Sequence, residues 1–230
     1  MYNWEDGDCC FVIGMSKLFR SGAVALALLI LVLCVSAYLT GYFGERQFNF
    51  TNDSLPIQQL VVDNARSLNW APYDPFKGSL NDIGSKLGFI VCADVPNIAY
   101  GLSGCSIKSM LEEDFKVHPD AYDTSRGNKP GNPFFHRRAR NMMSYFRANG
   151  RLKAPTELPA VGDLAFYARR PGGPIAHVAL VIVTYPDHYR LFESAPSGVF
   201  AGEVDGSSPI SHGWCLEGFG RMYPGSQDQI

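Results

Sequence analysis

Cys92, His177 and Glu193 have the side-chain types that catalysis by a thiol requires. In such catalysis a thiolate attacks a carbonyl carbon, an imidazole accepts and returns the proton, and an acceptor on the far ring nitrogen orients the imidazole. Cys92 follows the apolar run Gly88 to Val91 and precedes a predicted helix. Backbone N–H groups at a helix start favour thiolate over thiol. Cys92 is therefore the candidate nucleophile, although a small buried cysteine would have the same local pattern.

His177 is the best placed of the five histidines to act as the base. It begins the most apolar predicted strand, directly after the turn at Gly172 to Pro174. The next predicted strand ends at Glu193 and Ser194, so a hairpin of the two strands would bring the Glu193 carboxylate beside the imidazole. Taken alone, His177 is also consistent with a hydrogen-bonded core histidine and Glu193 with a solvated face.

The remaining cysteines and histidines do not have the spacing of a metal site. The sequence contains no Cys-x-x-Cys, His-x-His or His-Glu-x-x-His pattern, so we predict no zinc site. Catalysis by a thiol needs neither a metal nor an organic cofactor, so we predict no cofactor. Cys92, Cys105 and Cys215 lie in the predicted extracytoplasmic part. Because three is an odd number, at least one thiol stays unpaired in a monomer. A disulfide between Cys105 and Cys215 is one of the alternatives for the other two.

His136, Arg137 and Arg138 place cations at a predicted helix start, where the helix dipole disfavours them. A nearby anion would offset this cost. We hypothesise that Arg137 or Arg138 binds an internal acid such as Asp94 or Asp74, or a substrate carboxylate, through paired hydrogen bonds. Asp94, Arg137 and Arg138 are accordingly the predicted substrate-binding residues, and a solvated basic face is the alternative.

Residues 21–44 contain no charged side chain. As a helix they would extend about 36 Å, enough to cross a hydrocarbon core of about 30 Å. Lys17 and Arg20 immediately precede this segment, so the positive-inside rule keeps residues 1–20 in the cytoplasm. We predict a single-pass inner-membrane protein whose residues 45–230 form one periplasmic domain. A cleaved signal peptide is the competing interpretation.

The composition excludes two broad classes of protein. Lys and Arg number 20 against 22 Asp and Glu, giving a net charge of −2, which argues against nucleic acid as a partner. The hydrophobic fraction of 46% is too high for a disordered chain.

Hydrophobic periodicity predicts helices first and strands afterwards. The predicted helices are Leu55 to Leu68, Cys92 to Leu102, Ser106 to Phe115 and His136 to Asn149, with an ordered loop from Val117 to Pro133. The predicted strands are Asp163 to Ala168, His177 to Tyr185, Tyr189 to Ser194 and Gly218 to Tyr223. This order indicates an α+β domain with N-terminal helices packed on a C-terminal antiparallel sheet.

The order of three blocks resembles the NlpC/p60 superfamily of papain-like thiol hydrolases. The blocks are a helix starting with Cys92, a Gly-Asp-hydrophobic strand at Gly162 and Asp163, and a strand starting with His177. The Cys-x-Asp-Val block at Cys92 and the His-Arg-Arg block at His136 resemble a bacterial branch of that superfamily. The similarity covers residues 73–194.

This resemblance implies that Cys92 is the nucleophile, His177 the general base and Glu193 the orienting residue. It also implies a papain-like fold and a peptidoglycan peptide as substrate. Two features depart from the superfamily pattern. Val91 precedes the cysteine where Asp is common, and Glu193 stands where His, Asn or Gln is usual.

The expected function is therefore that of a membrane-anchored periplasmic cysteine peptidase or amidase that hydrolyses an amide bond in peptidoglycan. The alternatives are acyl transfer to an amine or lipid, and a non-catalytic tethered module that binds wall peptides or a protein partner.

Overall fold

The computed structural model describes residues 57–76 and 88–222. These residues form helices followed by an antiparallel sheet, which confirms the predicted α+β class. The predicted cytoplasmic tail 1–20 and membrane span 21–44 lie outside the described residues. Within 57–76 and 88–222, no helix combines the length and the apolar character needed to cross a membrane.

Four helices of nine to eleven residues and one short helix are described. They are α1 (Ile57–Arg66), α2 (Asp94–Leu102), α3 (Ile107–Val117), α4 (Ala139–Ala148) and α5 (Ser208–Ser211). Short 3-10 helices at Pro119–Ala121, Ser125–Gly127 and Phe135–Arg137 occupy the connection between α3 and α4. Helix α3 begins after Ser106, whose side-chain oxygen accepts the Ser109 N–H at 3.2 Å.

The sheet has six strands in the order β1-β6-β2-β3-β4-β5. The strands are β1 (Leu152–Lys153), β2 (Leu164–Ala168), β3 (Ile175–Thr184), β4 (Tyr189–Glu193), β5 (Gly202–Asp205) and β6 (Cys215–Gly220). All neighbouring pairs are antiparallel, and β2-β3 and β3-β4 are the predicted hairpins. His177 therefore lies on β3, one of the two central strands of the sheet.

Both faces of the central strands are buried. Alternate residues of β2 point to opposite faces, so Ala165 and Tyr167 pack in one apolar cluster with Trp214 and Phe219. On the other face, the Phe166 ring lies 5.8 Å from Phe146 of α4, measured between centroids. Burial on both sides explains why β2 is apolar along its whole length.

The Gly-Asp block at Gly162 and Asp163 holds α2 and the sheet together. The Tyr100 hydroxyl of α2 donates a hydrogen bond to the Gly162 carbonyl oxygen. Gly162 has φ +91, a conformation that favours glycine. The Asp163 carboxylate accepts the Ala160 N–H at 2.8 Å and a hydrogen bond from Arg221 at 3.0 Å. These contacts fix the start of β2 against the helix that follows Cys92.

The predicted starts of α2, α4 and β3 are wrong by two or three residues. Helix α2 begins at Asp94, so Cys92 lies in the turn before it. His136 and Arg137 belong to a 3-10 helix, and α4 begins after Arg138, whose backbone is extended. The cations thus stay out of the first α-helical turn, where the dipole would disfavour them.

Strand β3 begins at Ile175, so His177 is its third residue and not its first. A register shift at Tyr167 and Ala168 of β2 lets the pairing continue beyond His177. The last strand lies earlier than predicted, at Cys215–Gly220. Strands β1 and β5 were not predicted, since a two-residue strand and a strand of Gly, Glu, Val and Asp have little β-propensity.

Candidate active site

His177 and Glu193 form a buried pair on adjacent strands. Nε2 of His177 lies 2.6 Å from Oε2 of Glu193, and the two side chains are only 2% and 9% exposed. The β3-β4 hairpin produces this contact, as the sequence predicts, because its register brings the end of β4 toward the start of β3. With Nε2 donating its proton to the carboxylate, Nδ1 is the ring nitrogen that remains for another partner.

Cys92, a partly exposed free thiol, is close enough to influence the charge of this ring. Burial opposes protonation of the imidazole, but hydrogen bonding and charge interactions with Cys92 and Glu193 outweigh it and raise the pKa of His177 to about 9. At neutral pH this value keeps the ring protonated, as an imidazolium, beside the Glu193 carboxylate.

Ile90 connects the cysteine segment to both sides of the site. Its carbonyl oxygen accepts a hydrogen bond from the Ser194 hydroxyl at 3.1 Å and another from the Asp74 N–H at 3.0 Å. Its N–H donates to the Pro72 carbonyl oxygen at 3.0 Å. Ser194 directly follows Glu193. This short hydrogen-bond network therefore connects the segment before Cys92 to Glu193, the residue that contacts His177.

Trp214 covers the imidazole on one side. The centroids of the Trp214 and His177 rings are 5.2 Å apart with an interplanar angle of 33°. The Arg169 guanidinium carbon lies 3.5 Å from the centre of the Trp214 ring, so a cation–π contact holds the indole in place. Tyr167 lies beside the imidazole on the neighbouring strand, at 5.8 Å between centroids. These aromatic contacts exclude water from the His177–Glu193 hydrogen bond.

Asp94 and Arg137 form a second buried pair, next to Cys92. The Arg137 guanidinium donates two hydrogen bonds of 2.6 Å to the Asp94 carboxylate. Asp94 also accepts the Val91 N–H at 2.9 Å. The hypothesis that an internal acid binds one of these arginines is thus confirmed for Arg137. Asp94 thereby holds the turn that contains Cys92, because it binds both the Val91 N–H before the cysteine and the Arg137 guanidinium from another segment.

Arg138, the other predicted partner, lies elsewhere. It precedes α4, is half-buried, and its charge interacts with Arg140 and Asp123 and not with Asp94. Binding of a substrate carboxylate by Asp94, Arg137 or Arg138 stays a prediction.

Two residues near the site were missed by the sequence analysis. Burial, together with the charges of Cys92 and Asp74, raises the pKa of the Tyr73 hydroxyl, which places this phenol in the electrostatic field of the nucleophile. Tyr73 and Trp214 belong to segments far from Cys92 and His177 in sequence. A tyrosine before a proline-rich turn and a tryptophan after a glycine have no pattern that indicates this role.

Cys105 and Cys215 are free thiols, so no disulfide joins them. Sγ of Cys105 lies 3.4 Å from Sδ of Met110, inside the helical layer. Among residues 57–76 and 88–222, no group of three or more His, Cys, Asp and Glu side chains is arranged to hold a metal ion.

Comparison with curated proteins and with solved structures returns no match. Residues 79–190, a segment that includes Cys92, Asp94, Arg137 and His177 and ends before Glu193, match the family described as Domain of unknown function (DUF1287).

Proposed function

We propose that this protein is a cysteine peptidase or amidase that is anchored in the inner membrane and hydrolyses an amide bond of peptidoglycan in the periplasm. The observation that carries the proposal is the arrangement around one imidazole. Glu193 holds Nε2 of His177 at 2.6 Å, and Cys92 interacts with the same ring. This is the order of groups that a thiol hydrolase needs.

The first half of the reaction acylates the enzyme. The Cys92 thiolate attacks the amide carbon, a C–S bond forms, and the carbonyl π electrons move to the oxygen. When the tetrahedral intermediate collapses, the C–N bond breaks and the imidazolium of His177 gives its proton to the leaving amine. The products of this half are a free amine and a thioester on Cys92.

Water completes the reaction. His177, now neutral, removes a proton from water as the water oxygen attacks the thioester carbon. The C–S bond breaks, the carboxylic acid leaves, and the thiolate–imidazolium pair is restored. Glu193 keeps the same ring nitrogen oriented through both halves.

Backbone N–H groups at the turn before α2 suit the negative oxygen of the intermediate. Among the described residues, none accepts a hydrogen bond from the N–H of Cys92 or of Ala93. The Val91 N–H, by contrast, is taken by Asp94. Two available donors beside the attacking sulfur are what an oxyanion hole requires.

The substrate class rests on the sequence. The resemblance to NlpC/p60 hydrolases implies cell-wall peptides, and the predicted span at residues 21–44 would tether the domain on the periplasmic side, where peptidoglycan lies. These two points support a wall substrate over a soluble one.

Selective alkylation tests the thiol chemistry. The full chain in detergent micelles is treated with limiting iodoacetamide at pH 7, and labelling is mapped by peptide mass spectrometry. We expect Cys92 to react fastest and to lose this advantage in His177→Ala. Cys105 and Cys215 serve as internal controls. Equal reactivity of Cys92, Cys105 and Cys215 would contradict the proposal and would favour a non-catalytic binding module.

Digestion of purified muropeptides tests the reaction itself. We expect product masses that correspond to addition of one water across an amide, and none in Cys92→Ala. Products that carry an added amine or lipid would instead indicate acyl transfer through the same thioester. Absence of any product, with Cys92 reactive, would overturn peptidoglycan as the substrate.

A further inference from the structure

A cleft of about 450 Å³ lies beside the candidate active site, and Glu193 forms part of its wall. Three exposed apolar side chains also line it: Trp70 is 65% exposed, Val199 72% and Phe200 45%. The proposed catalytic steps use none of these three. Exposed aromatic side chains grouped around a concavity indicate a binding surface.

The aromatic pair is held in place by the backbone. The Trp70 and Phe200 rings meet edge to face with centroids 5.8 Å apart. The Trp70 N–H donates to the Ala201 carbonyl oxygen at 3.0 Å, and the Tyr73 N–H donates to the Val199 carbonyl oxygen at 2.9 Å. These bonds join the segment carrying Trp70 to the loop carrying Phe200.

Trp70 also has φ +70, a conformation that large side chains rarely adopt. A large exposed ring in such a conformation gains nothing from the protein core. Strained residues of this kind concentrate at functional sites, where the surrounding contacts maintain them.

The charges of the cleft select against an anionic ligand. Its described lining includes two carboxylates, Glu193 and Glu203, and neither lysine nor arginine. Glu193 is engaged by His177, and Glu203 by Arg66 at 2.7 Å. Among the described lining residues, an anionic peptide or lipid surface therefore meets no lysine or arginine, and His212 is the one basic side chain.

The remaining lining is polar and uncharged at several points. Asn69, Ser197 and Ser208 present amide and hydroxyl groups to the same space as the aromatic pair. A ligand that suits both must have an apolar C–H face and a rim of neutral hydrogen-bonding groups. A pyranose ring has this chemistry, because its axial C–H groups contact the negative face of an aromatic ring while its hydroxyl and acetamido groups reach polar side chains.

We propose that this cleft binds neutral N-acetylated sugar rings of a glycan strand, with Trp70 and Phe200 as the stacking platform. This inference rests on the proposed function in one respect, because it makes a peptide still attached to its glycan the preferred substrate over a free peptide. The binding itself requires no catalysis.

Calorimetric titration with a defined saccharide tests the site. The full chain carrying Cys92→Ala, in detergent micelles, is titrated with the β-1,4 tetramer of N-acetylglucosamine. We expect saturable binding, weakened at least about tenfold by Trp70→Gly and several-fold by Phe200→Ala. Glycine tolerates φ +70, so Trp70→Gly removes the ring while the backbone keeps its conformation. Thermal unfolding of each variant verifies that it is folded.

The matched control is Tyr185→Ala, which removes another exposed aromatic ring. Tyr185 is 41% exposed and stacks on His188, outside the cleft. Binding of the tetramer should be unchanged in this variant. Absence of binding to the parent protein, or equal weakening in Tyr185→Ala and Trp70→Gly, would overturn the proposal.

A membrane face is the other use of an exposed aromatic group, and it has a distinct signature. In vesicles of brominated lipid, fluorescence quenching that disappears in Trp70→Gly, together with no saccharide binding, would overturn the proposal and assign the patch to the bilayer. Saccharide binding without muropeptide hydrolysis would refute the proposed function alone. Hydrolysis with no tetramer binding, and with equal kcat/KM for free and glycan-linked peptides, would refute this inference alone.

Discussion

His177 and His118 are each paired with a buried carboxylate, but the two pairs lie in different surroundings. Nε2 of His177 lies 2.6 Å from Glu193, and Nδ1 of His118 lies 2.8 Å from Asp114. The imidazole of the first pair is 2% exposed, whereas that of the second is 40% exposed. The difference lies in what surrounds each pair.

The Asp114 cluster consists of Asp114, His118, Tyr122 and Asn149. The carboxylate accepts hydrogen bonds from the Tyr122 hydroxyl at 2.5 Å and from the Asn149 amide at 2.7 Å in addition to that of His118. These hydrogen bonds join α3 to the connection that follows it and to the end of α4. The cluster therefore stabilises the packing of the helical layer.

The candidate catalytic cluster consists of Cys92, His177 and Glu193. Here the histidine has a carboxylate on one ring nitrogen, and a partly exposed thiol influences its charge. The His177–Glu193 pair thus differs from the Asp114 pair in having a free thiol and a cleft beside it. Four experiments break or sharpen this contrast.

Removal of the thiol should have the largest effect. Cys92→Ala is expected to lower amide hydrolysis by at least about a thousandfold, because no other group of the cluster forms the covalent intermediate. Muropeptide turnover per folded protein is the measurement. Cys105→Ala and Cys215→Ala are the controls and should retain full turnover; a loss in either equal to that in Cys92→Ala would break the contrast.

Asp114→Asn should lower the free energy of unfolding by about 1–3 kcal/mol, because three donors lose their charged acceptor. Burial opposes ionisation of Asp114, but the hydrogen bonds from Tyr122, Asn149 and His118 prevail and lower its pKa. The pair thus stabilises the fold above the ordinary aspartate pKa, and this stability is lost as pH falls through the lowered value.

Urea unfolding at pH 7 and at lower pH measures both effects of Asp114→Asn. Asp120→Asn, at an exposed position of the same connection, is the control and should change little. Turnover per folded protein should stay unaltered, and a fall in turnover would show that the Asp114 cluster takes part in the reaction.

Glu193→Gln should lower turnover by about tenfold and move its alkaline limit. His177 is held protonated up to a pKa of about 9 with the help of Cys92 and Glu193, so turnover of the native protein should fall as pH rises through that value. The neutral amide still holds the ring but no longer favours its charge, so the limit should shift to lower pH. An alkaline limit that stays in place would argue that His177 is not the titrating group.

The same ionisation should affect stability. The folded-state pKa of His177 is raised, so its contribution is complete below the unfolded value of about 6.5 and is lost as pH rises through about 9. Unfolding free energy of the native protein should therefore decline over this range, and the decline should be smaller in Glu193→Gln.

Arg137→Lys should have the smallest effect, about 1 kcal/mol of stability and a few-fold change in turnover, because lysine retains the charge but not the paired hydrogen bonds to Asp94. The 3-10 helix Phe135–Arg137 connects the surroundings of the two clusters. The Phe135 ring lies 5.6 Å from the rings of both Phe115 and Tyr122, measured between centroids, and Arg137 binds Asp94. Kinetics and unfolding of Arg140→Lys, at a partly exposed arginine paired with Asp123, give the control. Equal responses of the two variants would show that the Arg137–Asp94 pair does not position Cys92.

Local pattern was sufficient for much of the fold. The helical periodicity before residue 150 and the apolar runs after residue 162 predicted the α+β class, the hairpins and the Glu193–His177 contact. The exact helix starts were not predictable, because the Asp94 bonds at the Cys92 turn and the extended backbone at Arg138 depend on partners from other segments. Trp214 and Tyr73 were missed for the same reason.

By itself, then, the amino-acid sequence determined the residue types at the candidate site and the hairpin that joins two of them, since neighbouring strands pair through a short turn. Only the tertiary structure decided that Cys92, and not Cys105 or Cys215, influences His177, and that Trp70 and Phe200 share a cleft with Glu193. Such contacts join residues that are distant in sequence, and their geometry follows from the packing of the whole sheet and its helices, because no local pattern encodes it.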